Sequence, residues 1–338
     1  MTPPERLEGL QSLRALAALL VLIGHVRAEA AHYFALDLPG AALPWTRGVD
    51  IFFIISGFII TLSATRFAPR PGAFLWGRLR RVVPLYALFT TLMVALLLAA
   101  PGSLKSTSLD PAQIASSYLF LPYERADGRI APVLSLGWTL NYEVFFYALL
   151  ALCLALPRPL LACCAGLAAL CLLGPALPQT TATVFYANPL ILEFTFGIAL
   201  ARLWQCGFVR PSAPLAGLAL VTGPALLMGL HQTALPRVLA AGLPATMIVA
   251  AGTLLAPDRH LPLQSIGNAS YALYLSHRFP LRLGTLVLVP VMPAHPLAAL
   301  VFCVLLVGLC LWGARAVHRH VERPLTAWLG PRPTRLAA

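Results

Sequence analysis

At 338 residues, 59% hydrophobic and only 11% charged, with a mean hydropathy of +0.80, the chain carries too few charges to solvate a globular surface of its size. This excludes an ordinary soluble domain and points to a polytopic membrane protein. The 24 Lys and Arg against 12 Asp and Glu give a net charge of +12, but the arginines sit between apolar segments, so nucleic acid is excluded as the partner and an anionic lipid face or ligand is left.

Windows of about 20 apolar residues predict an all-α transmembrane bundle of ten spans, near 10–27, 46–65, 82–100, 136–157, 159–174, 189–205, 213–230, 238–256, 268–290 and 294–316. The first stretch, LQSLRALAALLVLIGHVR, imitates a secretory leader, with Ala28-Glu29-Ala30 resembling a cleavage site. Cleavage is not expected, because this stretch carries Arg14 and His25 and many more spans follow. Arg14 and His25 stand eleven positions apart, so on a helix they project within about 20° of each other and about 16 Å apart along the axis. A cation and an imidazole on one stripe of an apolar helix are costly unless something meets them.

Residues 66–81, RFAPRPGAFLWGRLRR, read as a short cytoplasmic loop with five arginines. They serve as a topology signal on anionic headgroups, or as a site for a phosphorylated cytosolic ligand. Arg78 and Arg81, spaced i, i+3 before Pro84, share a helix face in the second reading. Segment 111–122, PAQIASSYLFLP, is too short to cross and is expected to be re-entrant or interfacial.

With both termini cytoplasmic, 16 arginines fall on the inner side and six basic residues on the outer side, as the positive-inside rule requires. In this topology Asp50, Glu143 and Glu193 lie toward the outer end with His25. Each intramembrane carboxylate is either a functional group or the structural partner of an arginine on another span. The seven cysteines lie in or beside apolar segments without CxxC or Cys/His spacing, so they read as packing residues, and no metal is expected.

Seven stretches carry a family resemblance. They are Arg14 and His25 with ten intervening positions, GVDIFFIISGFII (48–60), RLRR (78–81), SLGWTLNYEVFFY (135–147), NPLILEFTFGIALAR (188–202), IGNASYALYLSH (266–277) and VERPL (321–325). In this order the chain resembles the membrane-bound acyltransferase-3 family, and SLGWTLNYEVFFY is similar to its exopolysaccharide-production branch. The family's usual WSL stands here as Trp138-Thr139-Leu140, and Arg278 and Arg282 put two cations into the ninth span.

The resemblance implies one integral-membrane domain over 1–338, in a bacterial-type inner membrane, without the soluble appendage of some relatives. It implies transfer of an acyl group, usually acetyl from cytoplasmic acetyl-CoA, to a hydroxyl of a polysaccharide or lipid-linked glycan across the bilayer. His25 would act as general base or accept the acyl group itself. Asp50 or Glu143 would hold its other imidazole nitrogen, Asp50 being preferred, with Glu143 for the acceptor hydroxyls. Arg14 would line the donor's path, and Arg78 and Arg81 would hold the phosphates of coenzyme A. His277 reads as a weaker candidate or a core histidine. The competing reading is a transporter or flippase using the same intramembrane charges.

Overall fold

Long runs of Leu, Ala, Val and Ile satisfy their backbone in lipid only as helices or closed barrels. The computed structural model describes residues 8–36, 38–67, 70–99, 110–255 and 263–330, and these are helical throughout apart from connecting turns and one isolated bridge between Glu124 and Ile130. Arg6, Lys105, Arg259, Arg332 and Arg335 of the charge count lie outside the described residues, as do the last residues of the expected spans 82–100 and 238–256.

The helices in chain order are α1 (Glu8–Phe34), α2 (Gly48–Phe67), α3 (Pro71–Ala99), α4 (Pro111–Tyr118), α5 (Trp138–Cys153), α6 (Pro159–Leu173), α7 (Thr181–Tyr186), α8 (Glu193–Gln205), α9 (Ala213–Leu230), α10 (Leu243–Leu254), α11 (Gln264–Asn268), α12 (Ser270–Ser276), α13 (Arg278–Leu288), α14 (Pro296–Val317) and α15 (Arg323–Trp328). Single turns of tighter or wider helix precede α2, α5, α8, α10 and α15.

Among the described residues seven helical segments are long and apolar enough to cross a membrane: Glu8–Phe34, Trp45–Ala64, Pro71–Ala99, Ser135–Cys153, Pro159–Ala176, Ala213–Leu230 and Pro296–Trp328. Of the other three expected spans, 189–205 is a turn followed by the 13-residue α8. The eighth is the shorter apolar helix Val238–Leu254. The ninth is broken, with α12 ending at Ser276 and α13 starting at Arg278, two residues before Pro280. Pro280 has no N–H for the Ser276 carbonyl, which favours the break there.

Two expectations are corrected. Among the described residues of the arginine-rich stretch 66–81, helix takes the place of the expected loop. α3 starts at Pro71 and carries Arg78, Arg80 and Arg81 on its first turns, because proline at the first helical position is preorganised for a helix and long arginines extend along its surface. And α1 does not end near residue 27. It continues to Phe34, so His25 lies about 13 Å inside the helix end. The eight residues of α4 span about 12 Å, far short of a bilayer core. Asp110 caps this helix by accepting from Ala112 N at 2.8 Å and also accepts from the Tyr123 hydroxyl.

α1 touches α2, α10, α11, α12 and α14, and glycines set how closely. A Cβ on Gly9 would lie 2.2 Å from the Gly252 carbonyl oxygen, and one on Gly267 would lie 2.0 Å from that of Gln11. The α2–α8 pair forms the most extensive seam. A Cβ on Gly57 would lie 2.3 Å from the Phe194 carbonyl oxygen, and one on Gly197 2.2 Å from that of Ile54. Small residues permit this backbone approach in a membrane bundle, where packing replaces the hydrophobic effect. Aromatic rings fill the space beside it, with Phe146 stacked on Phe194 at 4.4 Å and Tyr142 on Phe185 at 4.0 Å. Leu172, Val221 and Trp312 are exposed on the outward faces of α6, α9 and α14, as hydrocarbon contact requires.

Gly57→Leu and Gly197→Leu are therefore expected to destabilise the protein by about 3 kcal/mol or more in thermal denaturation in detergent. Gly217→Leu, where nothing lies within 4 Å, should change stability by less than about 0.5 kcal/mol.

Candidate active site

The interior polar groups fall into three sets. The first is a histidine pair. α1 points His25 at the junction of α12 and α13, where its Nδ1 lies 2.9 Å from Nε2 of His277. The two rings lie edge to edge and nearly coplanar, with centroids 5.0 Å apart and planes 22° from parallel. His277 is buried, and its Nδ1 lies 3.0 Å from the Leu273 carbonyl oxygen. Arg278 lies within electrostatic reach of both imidazoles, and Glu29 within reach of Arg278.

The second set lines a cavity of about 120 Å³ between α1, α2, α3, α5 and α12. Its polar walls include Arg14, Ser56, Arg78, Arg81, Glu143, Tyr147, Ser270, Tyr271 and Tyr274, and its apolar walls include Phe52, Phe53, Ile59 and Val82. Glu143 accepts from Ser56 Oγ at 2.8 Å and from the Tyr147 hydroxyl. Arg14 donates to Gln11 at 3.4 Å and shares the field of Arg81, Glu143 and Glu322, the last brought in from the turn before α15. Arg78 sits 5.9 Å over the Phe74 ring, a cation–π contact.

Three guanidiniums facing one lining carboxylate make this cavity electropositive, which suits an anionic ligand. The buried hydroxyl of Ser270 has no hydrogen-bond partner among the described residues, so it is free to meet a ligand group. At the far end the Tyr274 hydroxyl donates to the Leu136 carbonyl at 3.1 Å. The Tyr274 ring lies 6.4 Å from that of His277, so this wall residue stands between the cavity and the histidine pair, which does not itself line it.

The third set is ionic. Asp50 and Glu193 are fully buried. Arg237 donates to Asp50 Oδ1 at 2.8 Å and brings its Nε to 3.5 Å from Glu193 Oε1, while Arg47 lies 3.8 Å from Asp50. Burying two carboxylates in an apolar bundle without a cation would cost several kcal/mol, and Arg237 meets both.

The sequence expectations are thus redistributed. Arg14 and His25 both turn inward, Arg14 to the cavity and His25 to the histidine pair beyond it. Arg14, Arg78, Arg81 and Glu143 come together, so Glu143 faces the arginines rather than the outer end. The imidazole nitrogen expected to meet Asp50 or Glu143 meets His277 instead, because Asp50 is committed to Arg237 and Glu143 to Ser56 and Tyr147. Glu193 takes the structural alternative, an arginine from another helix. Missed altogether were Arg237, which reads only as a loop charge, and Tyr147. The tyrosine stands four residues after Glu143, the spacing at which side chains meet on a helix.

An electropositive cavity inside a bundle of long apolar helices marks an integral membrane protein, and residues 7–315 match the family described as acyltransferase domain. The chain belongs to this acyltransferase-3 family, which bears out the resemblance carried by its motifs. It is 35% identical over 266 residues to the exopolysaccharide production protein ExoZ of Rhizobium meliloti (strain 1021), covering 76% of this chain and 81% of that protein. It is also 32% identical over 136 residues to protein 2 in the picA locus of Rhizobium radiobacter, covering 36% of this chain and 67% of that one. No solved structure matches the chain.

Arg237→Leu should leave Asp50 and Glu193 buried without their cation. A fully buried pair broken in this way loses about 3–5 kcal/mol, and because Arg237 keeps 33% of its side chain exposed the expected loss is about 2–3 kcal/mol. Thermal denaturation in detergent measures it, with Arg237→Lys expected to lose less.

Proposed function

We propose that this membrane acyltransferase moves an acetyl group from cytoplasmic acetyl-CoA to a hydroxyl of an exopolysaccharide, or of its lipid-linked precursor, on the outer side of a bacterial inner membrane. The observation that carries the reading is the arginine-lined cavity whose wall residue Tyr274 lies next to His277, the partner of His25. The ExoZ relative supports the acceptor class, since its name ties it to exopolysaccharide production.

The helices are read as ten crossings with both termini cytoplasmic, α12 and α13 together making one. The weight of arginine on the inner side supports this orientation. In this frame Arg78 and Arg81 hold the coenzyme A phosphates near the inner mouth, where Arg14 adds a third positive charge deeper in the cavity. The apolar wall of Phe52, Phe53 and Ile59 excludes water from the thioester. Glu143 keeps the arginines from repelling one another and, with Ser56 and Tyr147, holds one wall in place. His25 then serves as base toward the acceptor hydroxyl, or as the nucleophile that carries the acyl group between donor and acceptor.

His25→Ala is expected to abolish acetylation while the protein still inserts and folds, as measured with labelled acetyl-CoA, acceptor glycan and membranes. Retained ester formation in this variant, or glycan transport without ester formation by the unaltered protein, overturns the reading. Arg78→Ala combined with Arg81→Ala should raise the KM for acetyl-CoA by about 10–100-fold with a smaller change in kcat, because those groups bind donor and transition state alike. Steady-state kinetics at varied donor concentration tests it.

A further inference from the structure

Hydrogen-bond accounting assigns a tautomer to each ring of the histidine pair. The Leu273 carbonyl oxygen has no hydrogen to give, so the His277 Nδ1 facing it at 3.0 Å must be the donor. That oxygen also receives the backbone N–H of His277 at 3.1 Å, which uses its second lone pair. A neutral imidazole carries one N–H only, so Nε2 of His277 bears a lone pair. This lone pair faces His25 Nδ1 at 2.9 Å, which makes His25 Nδ1 the donor. The remaining nitrogen of His25, Nε2, is left unprotonated. Both rings are neutral in this scheme, since Arg278 already places one cation beside them.

The local backbone holds His277 in place. His277 lies between α12 and α13, where its carbonyl accepts from Leu281 N at 3.0 Å and from Cys310 Sγ at 3.5 Å. The ring is thus tied down on both sides of a helix break, and only its Nε2 faces α1.

We infer that His277 is a positioning residue: it holds His25 in the Nδ1–H tautomer and thereby makes His25 Nε2 the reacting nitrogen. The inference rests on the acyl-transfer reading above and deepens it. With His25 as base, the acceptor O–H proton moves to Nε2 as the oxygen bonds to the acyl carbon. The C–S bond then breaks, and the departing thiolate takes that proton. With His25 as nucleophile, Nε2 bonds to the acyl carbon as C–S breaks. The acceptor oxygen later displaces Nε2, and its proton goes to the thiolate. In both routes the Nδ1–H of His25 stays hydrogen-bonded to Nε2 of His277, which shares the positive charge that His25 acquires, in the position the carboxylate takes in a catalytic triad.

The test uses the full-length protein in lipid nanodiscs with histidine labelled at both ring nitrogens. The His25 signals in solid-state nitrogen-15 NMR are assigned by difference from His25→Gln. The unaltered protein should show His25 as the Nδ1–H tautomer. His277→Leu should move it toward Nε2–H and lower kcat by about 100-fold to 10,000-fold, the range set by a wrong-tautomer histidine elsewhere, while the KM for acetyl-CoA stays within about threefold. His277→Gln, whose amide oxygen can accept from Nδ1–H, should restore the tautomer and most of kcat. An Nε2–H tautomer in the unaltered protein overturns the inference. So does an unchanged kcat in His277→Leu, or an equal fall in both variants with equal loss of thermal stability. Absence of turnover in the unaltered protein overturns the acyl-transfer reading instead, and the tautomer spectrum still decides the role of His277.

Discussion

A charge or imidazole held inside an apolar helix bundle must find a partner there, because lipid offers none. The interior of this protein is arranged around that requirement. Arg14, Arg78 and Arg81 are gathered round Glu143, Asp50 and Glu193 round Arg237, and His25 is matched with His277. The bundle can bring these groups together because glycines let its helices approach to backbone contact at Gly57, Gly197 and Gly267. A bulkier seam would hold the walls of the cavity too far apart for such short contacts.

The division into three sets separates structure from chemistry. The Asp50–Arg237–Glu193 set pairs two completely buried carboxylates with a cation from another helix. The arginine cavity is unbalanced, with more cations than anions, and that surplus is what a phosphorylated ligand would complete. The histidine pair lies apart from the cavity lining, next to its wall residue Tyr274.

What was legible in the sequence was local. The helices announce themselves through apolar length and through proline at their first positions, and the inward stripe of Arg14 and His25 follows from the helical repeat. The start of α3 was misread because a cluster of arginines resembles a loop, whereas long side chains let a helix carry such a cluster to its end. The pairings were beyond reach for a different reason. Asp50 meets Arg237 across 187 residues and His25 meets His277 across 252, and no periodicity links positions so far apart. Motif order identified the family, but which carboxylate faces which cation depends on how the helices cross.

The long separation of His25 from His277 also has a consequence in time. A chain made at about 5–20 residues per second leaves the ribosome with its first helix tens of seconds ahead of its twelfth. For 252 residues of synthesis, then, His25 sits in the membrane before its partner exists, and Arg14 likewise precedes Glu143. The first helix must therefore enter lipid on apolar length alone, with two polar groups still unmatched. The site closes only once most of the chain has been inserted, so a protein halted during synthesis would contain nearly every arginine of the cavity and still lack the neighbour that orients His25.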